Sequence, residues 1–238
     1  MKNEKSKPQI LLLHGWGLRA QVYKGLVNLL KEKGHSVYSL DLPGFGSEPL
    51  VHNNMVLDDY IVFVRRFVEK RKLVKPIIVG HSFGGRVAIK YTWKYPDEVS
   101  KLILTGVPII RHTSLTKKIA FFAAVFGGKV LKTFPEKIRH NFRKMLYTII
   151  GEWDYYNAGK LQQVFKNIIG EDLIQYAQNV HVPTLLIWGA DDRLTPASDV
   201  KKIKKYMPHA QSFVIANVGH KFPYTDPQLF FKAMRSML

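Results

Sequence analysis

Cysteine is absent from this sequence of 238 residues, which excludes disulfide bridges and thiolate metal sites. Long apolar runs are absent too: the longest, Ile119–Phe126, is far shorter than the ~20 residues that span a bilayer. The apolar stretch Gln9–Leu13 is also shorter than the roughly 7–15 residues of a signal-peptide core. We therefore expect a soluble, cytoplasmic protein with no membrane span.

Acidic residues are scarce, because 18 Asp and Glu stand against 36 Lys and Arg, a formal net charge of +18. Such a charge would suit nucleic acid, an anionic membrane or an acidic protein. The lysines are spread along the chain, however, and no nucleic-acid-binding module is recognisable. We interpret the charge as solvated helix faces and expect no nucleic-acid partner. Histidines at metal-binding spacing such as HExxH are also missing, so we expect neither a metal nor a cofactor.

What the chain does contain is enough apolar residues, 46%, for one sizeable core. Short apolar runs alternate with longer amphipathic ones, which is typical of a parallel sheet covered by helices. The predicted strands are Ile10–His14, Ser36–Asp41, Ile77–Gly80, Lys101–Thr105, Thr184–Trp188 and Ser212–Ala216. The predicted helices are Gln21–Lys33, Leu57–Lys72, Phe83–Lys94, Ala197–Tyr206 and Pro227–Leu238.

The alternation stops between residues 108 and 182. This segment contains no convincing strand and predicts three or four helices, roughly at 114–133, 135–150, 160–169 and 171–179. Because strand–helix order resumes at Pro183, we interpret residues 108–182 as an inserted helical cap. Residues 1–107 and 183–238 would then form the α/β core.

The sharpest local motif is Gly80–Gly84, which reads Gly-His-Ser-Phe-Gly and follows an apolar strand. The pattern G-x-S-x-G between a strand and a helix is typical of a nucleophile elbow. Side chains at Gly80 and Gly84 would collide with neighbouring backbone in so tight a turn. The serine, Ser82, would gain from the positive end of the following helix as its oxygen develops charge.

A serine nucleophile needs a general base, and the base needs an acid to orient it. Asp191 and Asp192 follow the fifth predicted strand, and His220 follows the sixth. Because loops at the carboxyl ends of parallel strands converge on one edge, these side chains can meet Ser82 there. The chain order Ser, Asp, His is that of the α/β-hydrolase arrangement.

These motifs together resemble the α/β-hydrolase fold with a helical cap, over almost the whole chain. The matching segments are His14–Gly17, Asp41–Ser47, the elbow at Ser82, Gly189–Pro196 and Gly219–Pro227. The resemblance implies a catalytic triad of Ser82 as nucleophile, His220 as base and Asp192, rather than Asp191, as the orienting acid. It implies an oxyanion hole formed by the backbone N–H groups of Trp16 and Phe83, with His14 bracing the loop.

Ser82 narrows the possible reactions, because the dehalogenases and epoxide hydrolases of this fold, which the sequence also resembles, carry aspartate at the elbow. Esterases, lactonases, thioesterases, C–C bond hydrolases, cofactor-free perhydrolases and a few lyases remain, and we expect a carboxylic ester hydrolase acting on a small-molecule ester. Many members of the fold begin with an additional hairpin, but only about eight residues precede the first predicted strand. We therefore expect a mainly parallel sheet of about six strands.

The cap is rich in aromatic residues, which would roof an apolar acyl or aromatic pocket. Candidate substrate-binding residues are Trp16, Phe122, Phe126, Phe142 and Trp153. A basic helical face carries Arg139, Arg143 and Lys144, and the segments His14–Gly17 and Asp41–Gly46 resemble those of pimeloyl-carrier-protein methyl esterases. An alternative is therefore a methyl esterase acting on an acyl chain held by an acidic carrier protein. A non-catalytic ligand-binding protein on the same fold is an alternative of another class.

Overall fold

Six parallel strands form the centre of the protein in a computed structural model that describes residues 7–110 and 159–238. The strands are Gln9–Leu13 (β1), Ser36–Leu40 (β2), Ile77–His81 (β3), Lys101–Thr105 (β4), Thr184–Gly189 (β5) and Gln211–Ile215 (β6). Their order across the sheet is β2-β1-β3-β4-β5-β6, and every neighbouring pair is parallel. The predicted parallel sheet of six strands is confirmed, with strand ends within one residue of those predicted.

Burial of the strands explains their apolar sequences. Every residue of β3 and β5 is buried, because helices cover both faces of the sheet there. Strand β6 differs: it lies at the edge, and Phe213 and Val214 are each about half exposed (48% and 51%). An edge strand can therefore be as rich in large apolar residues as a central strand, and only the order of the strands in the sheet distinguishes the two.

Helices pack on both faces of the sheet. They are Lys24–Glu32 (α1), Leu57–Lys70 (α2), Phe83–Lys94 (α3), Gln162–Gly170 (α4), Ile174–Ala177 (α5), Asp199–Tyr206 (α6), Phe222–Thr225 (α7) and Pro227–Met234 (α8). Single 3₁₀ turns lie at Ala20–Tyr23, Pro96–Glu98, Gly159–Leu161 and Arg235–Met237. Within the described ranges, no helix is both long enough and apolar enough to cross a bilayer.

Alternating strand residues point into two separate hydrophobic cores. In β1, Leu11 and Leu13 belong to the core that includes α2, α3 and α6. Ile10 and Leu12 point to the opposite face, where α1 and α8 pack against each other. The period of two along β1 thus divides its side chains between two fully covered faces.

The sheet order reverses between β1 and β3. The chain passes from β1 to its neighbour β2 on one side and then returns to β3 on the other. In open α/β sheets, such a switch point leaves a crevice at the carboxyl ends of the strands, where ligands bind. The loops after β1 and β3, which carry Trp16 and Ser82, flank this crevice.

The segment predicted as a helical cap is described only at its two ends. Residues 159–183 contain the helices α4 and α5 and the turn Gly159–Leu161, close to the helices predicted at 160–169 and 171–179. The other two predicted cap helices lie outside the described residues, as do Phe122, Phe126, Phe142 and Trp153.

Candidate active site

Ser82 occupies a tight turn between β3 and α3. Its φ of +50° and ψ of −113° lie in a region that residues other than glycine rarely adopt. The turn is held by three backbone hydrogen bonds: Ser82 N–H donates to the Thr105 carbonyl, and Gly85 and Arg86 N–H donate to the Ser82 carbonyl. The strained serine therefore sits at the first turn of a 12-residue helix, whose positive end faces it.

The glycines flanking Ser82 permit this turn because the backbone crowds both positions. A Cβ on Gly84 would lie 2.3 Å from the carbonyl oxygen of Leu13 in β1, and one on Gly80 would lie 2.6 Å from the Cα of Gly85. Both distances are shorter than any ordinary carbon contact. The sequence pattern G-x-S-x-G is therefore a steric requirement of the turn.

His220 and Asp192 meet directly. The His220 Nδ1–H donates to Asp192 Oδ2 at 2.8 Å, although the two residues are 28 positions apart. Asp192 lies on the loop after β5, and His220 lies on the loop after β6. The adjacency of β5 and β6 at the edge of the sheet brings these two loops together.

Asp192 is buried (5% exposed) and accepts four hydrogen bonds. The backbone N–H groups of Leu194 and Thr195 bind Oδ1, and the Thr195 hydroxyl and His220 bind Oδ2. Burial alone would raise the pKa of Asp192, but the hydrogen bonds from His220 and Thr195 outweigh it and lower this pKa below 3.8. The side chain is therefore a carboxylate that can stabilise a positive charge on His220.

Ser82 also lies at the carboxyl end of its strand, but among the described residues its hydroxyl makes no direct hydrogen bond to the base, His220. The two are linked through His81, whose ring centroid lies 4.7 Å from that of His220. In enzymes without substrate, catalytic hydrogen bonds are often long and shorten when substrate binds.

The backbone N–H groups of Trp16 and Phe83 are the predicted donors of the oxyanion hole. Trp16 and Phe83 are neighbours, with ring centroids 5.4 Å apart. Phe83 is the first residue of α3, so its N–H has no intrahelical acceptor. Among the described residues, neither N–H meets an acceptor, which is the condition for an oxyanion hole.

His14 holds the loop that carries Trp16. Its Nε2 accepts a hydrogen bond from Leu42 N–H at 3.0 Å, so the proton lies on Nδ1, which donates to the Gly15 carbonyl at 2.8 Å. Burial lowers the pKa of His14, which keeps the ring neutral and in this tautomer. The residue therefore braces the loops after β1 and β2 against each other, as the sequence resemblance implied.

Asp41 organises the second loop in the same way. Its carboxylate accepts hydrogen bonds from the backbone N–H of Ala20 (2.6 Å) and from both the backbone N–H and the hydroxyl of Ser47 (2.8 and 2.9 Å). Burial would raise the pKa of Asp41, but the hydrogen bonds from Ser47 and Ala20 outweigh it and lower the pKa. The loop between Asp41 and Ser47 is thereby fixed next to Trp16.

An aromatic cluster lies against the loop that carries Trp16. The half-buried Trp16 ring contacts Phe45, Phe83 and Phe165, with centroid distances of 4.9, 5.4 and 4.9 Å. Phe165 comes from α4, so the end of the predicted cap contributes to this wall. A cavity of about 410 Å³ opens nearby between Gly17, Arg19 and Phe45, but neither Ser82 nor His220 lines it.

Three residues at the site were not singled out by the sequence. Thr195 donates to Asp192 Oδ2 at 2.7 Å, and its place three residues after the acid is the signal that would have pointed to it. Gly106 lies under His220, and His81 packs against the His220 ring. His81 is part of the Gly80–Gly84 motif, and the structure shows it buried, with 1% exposure.

The fold and this arrangement of loops define an α/β hydrolase. Residues 10–233 match the alpha/beta hydrolase family, so the chain belongs to that family. Human monoacylglycerol lipase ABHD6 is 26% identical over 245 residues, covering 93% of this chain and 72% of the lipase.

Solved structures show the same fold. An esterase from Exiguobacterium antarcticum superposes with a TM-score of 0.74 at 19% identity, covering 98% of this chain and 92% of the esterase. A thermophilic esterase from Thermogutta terrifontis gives a TM-score of 0.71 at 20% identity, covering 98% and 89%. The expected fold class is therefore confirmed.

Proposed function

We propose that this protein is a serine hydrolase that cleaves carboxylic esters through an acyl-enzyme. The observation that carries the proposal is the 2.8 Å hydrogen bond between His220 Nδ1 and Asp192 Oδ2, at the sheet edge where the strained turn presents Ser82. The relatives named as esterases and lipases support the same reaction class.

In the first half-reaction, Ser82 Oγ attacks the ester carbonyl carbon and its proton passes to His220 Nε2. Asp192 holds the His220 proton at Nδ1, which leaves Nε2 free to accept, and stabilises the imidazolium that forms. The N–H groups of Trp16 and Phe83 bind the oxyanion. When the tetrahedral intermediate collapses, the C–O bond to the alcohol breaks and His220 returns the proton to the leaving oxygen.

In the second half-reaction, water replaces the alcohol. His220 Nε2 takes a proton from the water as its oxygen attacks the acyl carbon, and the oxyanion returns to the same N–H groups. Collapse breaks the bond to Ser82 Oγ, which recovers its proton from His220. The carboxylic acid then leaves, and the enzyme is restored.

The substrate is proposed to carry an apolar acyl or aromatic group. The wall formed by Trp16, Phe45 and Phe165 supports this, because aromatic rings bind apolar surface well. A helical cap over 108–182 would complete the enclosure and exclude water from the reaction. Lactones and thioesters share the carbonyl chemistry and belong in the same substrate panel.

Two alternatives to this function were raised by the sequence, and the carrier-protein alternative depends on residues that the structure does not describe. Arg139, Arg143 and Lys144, the basic face proposed to dock an acidic carrier protein, lie outside the described residues. Carrier docking thus stays a prediction from sequence. A non-catalytic binder would have no use for the fully hydrogen-bonded Asp192 or for the free N–H groups, so catalysis is the better account.

A panel of p-nitrophenyl esters of increasing acyl length, with a lactone and a thioester, tests the proposed class. We expect turnover of the esters, with kcat/KM rising from acetate to medium chains as the apolar wall is filled. Turnover that does not depend on acyl length would contradict the apolar acyl site. Hydrolysis of a methyl ester only when a carrier protein holds it would favour the carrier alternative.

A further inference from the structure

His81 lies between the two halves of the proposed machinery. It is the last residue of β3 and directly precedes Ser82, and its ring is buried with 1% exposure. The ring centroid lies 4.7 Å from that of His220 and 5.7 Å from that of Tyr224. The residue thus touches the base through its side chain while its main chain carries the nucleophile.

The hydrogen bonding of His81 fixes its tautomer. Nε2 lies 3.0 Å from the main-chain carbonyl oxygen of His220, and since a carbonyl only accepts, Nε2 carries the proton and donates. The other nitrogen, Nδ1, faces Gly15, where an added methyl group would lie 3.0 Å from it. The imidazole therefore fits between the Trp16 loop and the His220 loop.

Packing alone does not account for a histidine here. Among the described residues, no donor reaches the buried Nδ1. Burying a polar atom without a partner is unfavourable, and a phenylalanine ring would fill the same space without that cost. The use of a histidine here is explained better by its other nitrogen, Nε2, which donates to the His220 carbonyl oxygen.

The His220 side chain itself has few restraints. Its Nδ1 is held by Asp192, and Thr195 Oγ1 lies 3.5 Å away. One hydrogen bond at Nδ1 does not by itself fix the direction of Nε2, and among the described residues the Ser82 hydroxyl makes no hydrogen bond to the ring. The direction of Nε2 therefore also depends on the groups packed against the ring and on how the His220 main chain is held.

We propose that His81 is a positioning residue for His220: by donating to the His220 carbonyl and packing against its ring, it aims Nε2 at Ser82. The inference rests on the proposed function, because it assigns His81 a role in the same reaction. The role assigned to His81 is positioning, because it contacts the base and would act through His220.

The surroundings keep His81 neutral while His220 gains and loses a proton. The charged and titratable groups around it are His220, Asp192, His14 and Tyr224. Burial, and then the nearby His220, lower the pKa of His81 to about 3. A neutral ring adds no positive charge beside the imidazolium that His220 becomes during the reaction.

Two substitutions separate positioning from packing. His81→Phe keeps a ring but removes the donor, whereas His81→Gln keeps an N–H at about the same reach. We expect His81→Phe to lower kcat about tenfold, with KM within about twofold and thermal melting within a few degrees of the unchanged protein. We expect His81→Gln to recover kcat to within about threefold, and His209→Gln, at an exposed turn, to change nothing.

Full kcat in His81→Phe would overturn the proposal. Equal losses in both variants with lowered melting would also overturn it, because they would assign the residue to packing. If His81→Phe fails to fold, His81→Gln decides: kcat near that of the unchanged protein supports the proposal, and a tenfold loss with unchanged KM contradicts it.

A double-mutant cycle tests whether His81 acts through His220. In the His220→Ala background, where a residual rate above uncatalysed hydrolysis is expected, adding His81→Phe should lower that rate less than twofold. A further tenfold loss there would show a role independent of His220 and contradict the proposal. Activity that survives Ser82→Ala would instead refute the proposed function, so the two failures are distinguishable.

Discussion

Asp191 and Asp192 are neighbours in the chain, yet only one reaches the base. The Asp192 carboxylate is buried and bound by His220 and Thr195, while Asp191 is exposed. The family resemblance over Gly189–Pro196 had implied Asp192 rather than Asp191 as the acid. The position of Thr195, three residues after Asp192, was the sequence signal for this partner, but the hydroxyl hydrogen bond itself depends on how the loop folds back on the carboxylate.

Asp192→Asn should lower kcat about 10³–10⁴-fold, because an amide can donate to His220 Nδ1 and favours the tautomer that protonates Nε2. Asp191→Asn is the matched control and should stay within about twofold. Steady-state hydrolysis of a p-nitrophenyl ester measures both. Equal effects of the two substitutions would refute the assignment of the acid.

Gly106 packs closely against the His220 ring that is paired with Asp192. It has a φ of +57°, and a Cβ there would lie 2.8 Å from His220 Cε1 and 2.9 Å from Nδ1. Gly106→Ala should therefore displace the ring, lower kcat/KM about tenfold or more, and destabilise the fold by about 1–2 kcal/mol. Gly17→Ala, with a similar positive φ of +70° but no atom of the described residues within 4 Å of the added Cβ, is the control, and equal activity of the two variants would contradict a role for Gly106 in placing His220.

Element boundaries follow closely from the apolar patterning. Strand Lys101–Thr105 and helix Phe83–Lys94 match the sequence prediction residue for residue, because short apolar runs and a helical face are local signals. The short helix Phe222–Thr225 was not predicted, since a single turn after His220 has no such periodicity. The order of the strands also lay beyond local patterning, so the edge position of β6 was not foreseen.

Helix α3 carries a feature that local patterning does not reveal. Arg86 is buried and donates to the carbonyls of Pro108 (2.9 Å), Ile168 (2.7 Å) and Glu171 (2.6 Å). Pro108 is the first residue of the predicted cap, and Ile168 and Glu171 lie in its last part. One guanidinium on the nucleophile helix therefore ties both ends to the core.

Arg86→Met should lower the free energy of unfolding by about 2–4 kcal/mol, since three carbonyls lose a charged donor. Urea denaturation followed by fluorescence measures this change. Arg66→Met, at an exposed position on α2, is the control and should change stability by less than about 0.5 kcal/mol. Similar midpoints for the two variants would refute the role of Arg86.

At the scale of the whole molecule, buried neutral histidines make stability depend on pH. The pKa of His81 is about 3 in the folded protein against 6.5 in the unfolded chain, so below about pH 6.5 the unfolded chain binds a proton that the folded protein refuses. The contribution of His81 to the free energy of unfolding is complete above pH 6.5 and is lost as the pH falls toward 3. The Asp192 contribution, whose pKa lies below 3.8, is lost only in stronger acid.

The free energy of unfolding should therefore decrease as the pH is lowered from 6.5 to 4. His81→Phe should reduce the slope of this dependence by about 1.4 kcal/mol per pH unit. Urea titrations at four pH values across this window, with His209→Gln as the exposed control, measure it. Identical slopes for the unchanged protein and His81→Phe would show that His81 is not held neutral by burial.

The whole chain supports the proposed reaction in a way that no single motif does. Ser82, Asp192 and His220 lie on loops that follow three different strands, and the parallel sheet places these loops at the carboxyl ends of its strands. The sequence could predict the contact between Asp192 and His220 because each follows a strand, and the approach of Ser82 to His220 stays a prediction. It could not predict the His81 contact, which depends on the packing of two rings far apart in sequence.

The most direct test of the proposed chemistry is ester hydrolysis by Ser82→Ala. The substitution removes only a hydroxyl from a partly exposed turn, so thermal melting should stay within a few degrees of the unchanged protein. With a medium-chain p-nitrophenyl ester, kcat should fall at least about 10³-fold, because the proposed acyl-enzyme forms on the Ser82 hydroxyl. A folded Ser82→Ala variant that hydrolyses the ester at the rate of the unchanged protein would contradict the account.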